Sequence, residues 1–308
     1  MTSASTIAIR PVTAADEDIW RVLWRGYLEH YETILPAAVY ATTFNRLLKG
    51  GPGEFRGYLA VAEGRPVGLV HFLFHRSSWA VEQVCYLQDL FTLPAMRGAG
   101  VGRALIEAVY QAADDAGCPT VYWFTQDFNV TARRLYDRVG VLTPFVRYNR
   151  PAPHITPSPN PGVTIRRLQP GDQADWRALW WRYLDYYETV LPEAVTAATF
   201  ARMLSDDPAE MRGLLALVDG RAVGLVHHVS HRTCWKVENV CYLQDLFTLP
   251  EARGSGVGRA LIEAVYRHAD RAGTPAVYWL TQGFNTTARR LYDRIGVLTP
   301  FIEYDRPA

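Results

Sequence analysis

The 308-residue sequence predicts an α/β fold present twice, each copy a mixed, mostly antiparallel sheet with helices on both faces. Three observations carry this: a duplication at a shift of 156 residues, the same strand–helix alternation in both copies, and a glycine-rich strand-to-helix turn at the same place in each. The duplication runs without a gap: Val84–Pro94 recurs as Val240–Pro250, Gly100–Tyr110 as Gly256–Tyr266, and Thr131–Arg138 as Thr287–Arg294. About 93 of roughly 146 aligned positions are identical, and a period this long marks a duplicated domain, not a solenoid unit. The copies occupy residues 1–151 and 163–308. Residues 152–162, APHITPSPNPG, read as an extended proline-rich linker. About ten such residues span at most ~30 Å, so the copies must sit close together.

Within the first copy the elements follow from local pattern. Ile7–Arg10 is a short opening strand, and Ala14–Tyr31 places Trp20, Trp24, Tyr27, Leu28 and Tyr31 on one helical face. A second short helix follows Pro36. Gly57–Ala62 and Pro66–Phe74 are strands joined by a Glu63-Gly64 turn. Val84–Thr92 is a strand, and Gly100–Ala116 an amphipathic helix with Leu105, Val109 and Ala112 inward. Thr120–Thr125 is a strand, Asn129–Val139 a helix and Thr143–Tyr148 the last strand. The second copy repeats the order.

Composition narrows the class. An apolar share of 49% and a charged share of 20% are those of a soluble globular protein. Net charge is +1, without the basic excess of a domain that grips phosphates, so nucleic acid is not the expected partner. No stretch approaches the ~20 apolar residues of a membrane span, and the start lacks a basic–apolar leader, so the expected location is cytoplasmic. Four cysteines make no disulfide scaffold; Cys85 and Cys241 lie in apolar runs as buried free thiols. No Cys/His spacing suggests a metal site.

Arg97-Gly98-Ala99-Gly100-Val101-Gly102 and its repeat, Arg253-Gly254-Ser255-Gly256-Val257-Gly258, each join the fourth strand to a helix. A helix start offers unpaired N–H groups and the positive end of a dipole, and glycine lets an anion approach closely, which makes a phosphate cradle. The dinucleotide pattern Gly-x-Gly-x-x-Gly is not met, and Walker A is excluded. At this point the chain resembles the GNAT superfamily of N-acetyltransferases over nearly the whole of both copies. The resemblance rests on Arg97, Gly100 and Gly102 in the family's Arg/Gln-x-x-Gly-x-Gly/Ala signature, on the preceding strand Tyr86–Thr92, and on Asn129-x-x-Ala132-x-x-x-Tyr136, all repeated in the second copy.

That resemblance implies acetyl-CoA as donor and a small amine as acceptor. It implies a bulged fourth strand that splays from the fifth, freeing the main chain of Leu90, Phe91 and Thr92 (Leu246, Phe247, Thr248) for the pantetheine arm and thioester oxygen. The pyrophosphate would lie on residues Arg97–Arg103 and Arg253–Arg259, with Asn129 and Asn285 as helix caps, cofactor contacts or both. Tyr136 and Tyr292 would protonate the departing thiolate. The general base stays open: Gln88 and Gln244 stand where relatives acting on diamines carry Glu, and an amide takes no proton. Asp89 and Asp245 are beside it, though strict alternation points them away from the face of Tyr86 and Gln88. Glu32, Glu188, Glu82 and Glu238 are further candidates. His71, His75, His227 and His231 read as hydrogen-bonded core or edge residues. Tyr27, Tyr31, Tyr86 and Gln88, with Tyr183, Tyr187, Tyr242 and Gln244, are the expected acceptor side, where rings beside carboxylates suit a cationic amine. Differences between copies at His30/Tyr186, Phe72/His228, Phe74/Ser230, Ser78/Cys234 and Asp127/Gly283 are expected to include acceptor-pocket positions. Rival readings are another acyl donor, an antibiotic or aminoacyl-tRNA acceptor, and a non-catalytic acetyl-CoA sensor. Assembly is expected as a monomer with an internal pseudo-dimer, or as a homodimer.

Overall fold

A computed structural model describes residues 6–152, 160 and 162–307, so the expected extension of the linker falls mostly outside the described residues. Every strand and helix expected from the pattern forms, in the expected order. The first half comprises β1 (Ile7–Pro11), α1 (Glu17–His30), α2 (Ala37–Lys49), β2 (Arg56–Ala62), β3 (Arg65–Arg76), β4 (Gln83–Thr92), α3 (Val101–Asp115), β5 (Val121–Gln126), α4 (Val130–Val139) and β6 (Val141–Asn149). The second repeats it as β7 (Thr164–Arg167), α5 (Gln173–Tyr186), α6 (Glu193–Leu204), β8 (Arg212–Val218), β9 (Arg221–His231), β10 (Val240–Thr248), α7 (Val257–Arg271), β11 (Val277–Gln282), α8 (Thr286–Ile295) and β12 (Val297–Asp305).

Helix α1 buries Trp20, Leu23, Trp24, Tyr27 and Leu28, a spacing of three and four that makes one apolar stripe against one face of the sheet. Helix α3 buries Leu105, Val109 and Ala112 against the other face. The turn between β2 and β3 uses Glu63 at φ 51° and Gly64 at φ 74°, the paired left-handed conformation that matches strand twist in tight hairpins.

The twelve strands form one sheet in the order β1-β2-β3-β4-β5-β12-β6-β11-β10-β9-β8-β7. The last strand of each copy has therefore crossed to the other half. Strand β12 pairs with β5 from Phe301↔Gln126 to Asp305↔Tyr122, and β6 pairs with β11 from Tyr278↔Asn149 to Gln282↔Phe145. The exchange extends into the cores. Tyr304 stacks on Trp123 of the first half (5.7 Å), and its hydroxyl donates to Asp137 at 2.5 Å. Tyr148 does the same with Trp279 and Asp293 in the second half. At Gly140, where the chain leaves its own half, a Cβ would stand 2.3 Å from the Trp123 ring, so only glycine fits.

Candidate functional site

The fourth strand sets the geometry. Strand β4 pairs with β3 in register except at Gln88, which is bulged out between Phe72↔Leu87 and His71↔Asp89. The extra residue reverses the expected alternation: Asp89 faces α1 on the same side as Tyr86, not the opposite side. Strand β10 is bulged identically between Leu243 and Asp245. Pairing of β4 with β5 covers only Cys85–Leu87, and that of β10 with β11 only Cys241–Leu243. Beyond those points β4 and β10 have a free edge, and it carries the main chain of Leu90, Phe91, Thr92 and of Leu246, Phe247, Thr248.

At the strand's exit the glycine loops take the form of an anion cradle. Gly98 and Gly100 hold φ of 83° and 89°, and Gly254 and Gly256 of 80° and 86°. No heavy atom lies within 4 Å of a Cβ built on Gly98 or Gly100, whereas one on Gly102 would meet Leu135 at 2.9 Å. The N–H groups that open α3 and α7 face this open space. Arg97 and Ala99 are exposed beside it. Arg103 and Arg259 pair along their own helices with Glu107 and Glu263. Asn160 of the linker donates to the Ser255 carbonyl at 2.9 Å, a contact that the first half lacks among the described residues.

In the second half a cavity of about 510 Å³ joins loop and aromatic wall: Gln244, Leu246, Phe247, Thr248, Arg253, Gly254, Gly256, Val257, Gly258, Arg259, Asn285 and Tyr292 line it with Tyr183 and Tyr187. Tyr242, Asp245, Ser255 and Glu188 do not. Arg290, Arg294 and Leu291 also line it and had no motif to announce them, and Tyr186 lines it as one of the positions that differ between the copies. Asn129 and Asn285 cap their helices, accepting from the N–H of Ala132 and Ala288 (both 3.2 Å). Burial raises the phenols of Tyr136 and Tyr292, which keeps both protonated.

A second cavity, also about 510 Å³, holds the acceptor-side residues of the first half: Tyr27, Tyr31, Tyr86 and Gln88. Part of its wall comes from the other half. Trp235, Lys236, Glu238 and Asn239 belong to the β9–β10 loop, and Phe301 to the exchanged strand. Gln88 holds that loop with both ends of its amide, accepting from the Cys234 N–H (3.3 Å) and donating to Thr233 Oγ1 (2.9 Å). The Trp235 ring packs on Tyr27 and Tyr31, and its N–H donates to Asp89 at 2.9 Å. Thr43 donates to the Cys234 carbonyl at 2.8 Å. The reciprocal insertion is equally complete: Gln244 grips Ser77 and Ser78, Trp79 packs on Tyr183 and Tyr187 and donates to Asp245, and Thr199 donates to the Ser78 carbonyl.

Asp89 is thus 0% exposed, with Trp24 and His71 on one oxygen and Trp235 on the other. Asp245 is held likewise by His227, Ser78 and Trp79. His71, Asp89 and Cys234 bring three donor atoms within 4.8 Å of one another. His71 has no lone pair to spare, because Nε2 accepts from Trp20 at 2.8 Å and Nδ1 must then donate to Asp89. The cluster is hydrogen-bonded core. His75 and His231 stack at 5.0 Å across the seam between the halves, and burial lowers them to about 4 and about 3.

Two sets of expected site residues lie elsewhere. Glu32 and Glu188 are exposed at the ends of α1 and α5, in left-handed conformation (φ 49° and 51°), and line neither cavity. Phe72 and Phe74 pack on the α3 face of the sheet, opposite the acceptor side, because β3 alternates between two buried faces. His228 is buried beside Cys241 and His268. Sequence reading missed Trp79, Trp235, Arg147 and Phe301. The available signal was a Trp retained in both copies of a loop whose neighbours differ, Ser77-Ser78-Trp79-Ala80 against Thr233-Cys234-Trp235-Lys236.

The profile of the acetyltransferase (GNAT) family matches twice, over residues 17–141 and 175–297. A D-amino-acid N-acetyltransferase of Saccharomyces cerevisiae is 40% identical over 149 residues, covering 48% of this chain and 92% of that protein. A mycothiol acetyltransferase of Actinosynnema mirum is 30% identical over 220 residues, covering 68% and 70%. Among solved structures, a GCN5-related N-acetyltransferase from Sphaerobacter thermophilus superposes with a TM-score of 0.60 at 19% identity, covering 98% of this chain and 96% of that one. A tandem GNAT protein from the clavulanic acid biosynthesis pathway gives 0.54 at 15% identity, covering 98% and 100%. Among the described residues no helix is long and apolar enough to cross a membrane.

Proposed function

The chain belongs to the acetyltransferase (GNAT) family, with the fold in tandem, and on that premise we propose that each half moves an acetyl group from acetyl-CoA to the primary amine of a small molecule. The observation that carries this is the joint retention, in both halves, of the glycine cradle (open in the first, with Asn160 Nδ2 2.8 Å from a Cβ built on Gly256 in the second), the free strand edge and the buried tyrosine. Residues Arg97–Arg103 and Arg253–Arg259 would hold the pyrophosphate, and the edges of Leu90–Thr92 and Leu246–Thr248 the pantetheine arm. Acetyl-CoA supplies the activated acyl group there. A main-chain N–H on the free edge would stabilise charge on the acyl oxygen, a contribution on the order of 3 kcal/mol. Tyr136 and Tyr292 hold a proton at Oη for the leaving group.

The base role moves. Asp89 and Asp245 are saturated by buried donors, so we assign them to fixing α1, β3 and the inserted loop against one another. Glu238 is the one carboxylate lining the first half's acceptor cavity, and it takes the amine proton in this reading. Gln88 and Gln244, which supply no base, are engaged with the inserted loops. The similar yeast enzyme, named for D-amino acids, supports a small amine as acceptor. The test is release of coenzyme A thiol across an amine panel, in chains where Gly100→Trp or Gly256→Trp obstructs one loop. Release should persist in each single variant and vanish in the double. A chain that releases thiol with no amine tried would sink the proposal.

A further inference from the structure

The pseudo-symmetry between the halves breaks in charge at one place. Residue 147 is Arg where its counterpart, 303, is Glu; Asn149 faces Asp305 and Lys236 faces Ala80 across the same shift of 156. All three differences run one way, toward positive charge at the first half's acceptor cavity, which Arg147, Asn149 and Lys236 all line. Arg147 is half-buried, and its guanidinium lies 4.2 Å from the Tyr278 ring centre and 5.2 Å from that of Phe124. Its Nε donates to Asn149 at 3.1 Å, and among the described residues no carboxylate lies within ion-pair distance of it. A planar cation stacked on rings beside a cavity, with neutral groups and no carboxylate as its partners among the described residues, is built for a carboxylate.

Glu303 is the reverse. Its Oε2 is buried with no hydrogen-bond partner, and burial followed by the charge of Asp305 pushes its carboxyl well up. The neighbouring tyrosines report the two fields. Burial raises Tyr86 while Arg147 pulls it back; burial raises Tyr242 and Glu303 adds to the rise. Arg147 thus stands to Tyr86 as Glu303 stands to Tyr242, but Arg147 and Tyr86 line the first half's cavity whereas Glu303 and Tyr242 do not line the second's.

We propose that the first half's acceptor site takes amines that carry a carboxylate, anchored by Arg147, and that the second half, with Glu303 at the corresponding position, has no such anchor there. This rests on the transferase reading and names the acceptor class at the first site. The anchor is a binding group at the non-reacting end of the acceptor, so it acts through KM.

The intact chain is assayed with alanine (both enantiomers), alaninamide and a short diamine, following thiol release, alongside calorimetric binding of each acceptor in the presence of coenzyme A. Arg147→Gln should lower kcat/KM for alanine about 10- to 100-fold, mainly through KM, while diamine turnover is retained as the control for folding. Arg147→Lys should restore part of the loss. Glu303→Gln should leave the alanine-to-alaninamide ratio unchanged. An alanine-to-alaninamide ratio unaltered by Arg147→Gln overturns the assignment. If the wild-type chain releases no thiol with any acceptor, the transferase reading fails, and the heat of alanine binding still decides on Arg147. Wild type that neither acetylates nor binds alanine overturns the proposal outright.

Discussion

The glycine loops and the acceptor walls of this chain are built on different plans. Each loop is made by one half from its own sequence, and Gly98, Gly100, Gly102 and Tyr136 have identical partners 156 residues on. Each wall is assembled across the two halves, from a tryptophan loop of the other half and, at the first site, from Phe301 of the exchanged strand as well. The donor side depends on a helix start and a strand edge, which any self-contained half can supply. The acceptor side needs a lid over the exit of α1, and the halves supply that lid to each other. Duplication inside one chain then has a consequence that a symmetric dimer lacks: the two halves can diverge independently, as at Arg147 of the first wall, whose counterpart is Glu303.

The largest effect that bears on this difference comes from deleting residues 297–308, the end of the second copy. Tyr304 lies fully buried among Trp123 and Tyr136, and β12 covers the edge of β5. The deletion strips a core aromatic and a whole strand from the first half, far beyond the ~3–5 kcal/mol of a single buried aromatic. The first half, whose own residues 1–151 are all present, should lose its cooperative unfolding transition and its protease resistance. Loss confined to the second half would mean that each copy can reclaim its own last strand.

Next in size is the pair Tyr136→Phe and Tyr292→Phe. With both changed, kcat should fall about 10²- to 10⁴-fold while acetyl-CoA affinity holds, since the rings still pack on Trp123 and Trp279. An unchanged kcat would return both tyrosines to the core and leave the loops as the sole shared machinery.

Elements and loops were legible in the sequence because their causes are local. The stripe of Trp20, Trp24 and Tyr27, the Glu63-Gly64 turn and the Gly100 helix start each depend on a few neighbours along the chain. Asp89 shows where locality ends. One bulged residue, Gln88, turns the rest of β4 over, and that bulge is held by Thr233 and Cys234, about 145 residues away. The strand exchange has the same character: β6 pairs with β11 and β12 with β5, and because Tyr148 and Tyr304 meet the same residue types in either half, local pattern does not choose between the partners.

Glu32 and Glu188 give the smallest expected effect and separate two readings of the same residue. As candidate bases they should be needed for turnover. In the structure each follows the residue that caps its helix (Tyr31, Tyr187), in the left-handed conformation that costs a non-glycine residue roughly 1–2 kcal/mol. The N–H of Glu32 closes the helix onto the Glu29 carbonyl at 3.0 Å, and that of Thr33 onto Leu28 at 3.0 Å, so backbone geometry fixes the position whatever the side chain. Replacing Glu32 by glycine relieves the strain but gives the unfolded chain more freedom, which takes back about 0.5–1 kcal/mol. The net for Glu32→Gly should be a gain of about 0.5–1 kcal/mol, seen as a higher denaturant midpoint at unchanged slope. Glu188→Gly should match it, since the two turns share φ within the pair 49° and 51°. The kcat of both variants should stay at the wild-type value. A fall in kcat with either, and no gain in midpoint, would restore that glutamate as a base and place it on the acceptor wall of its half.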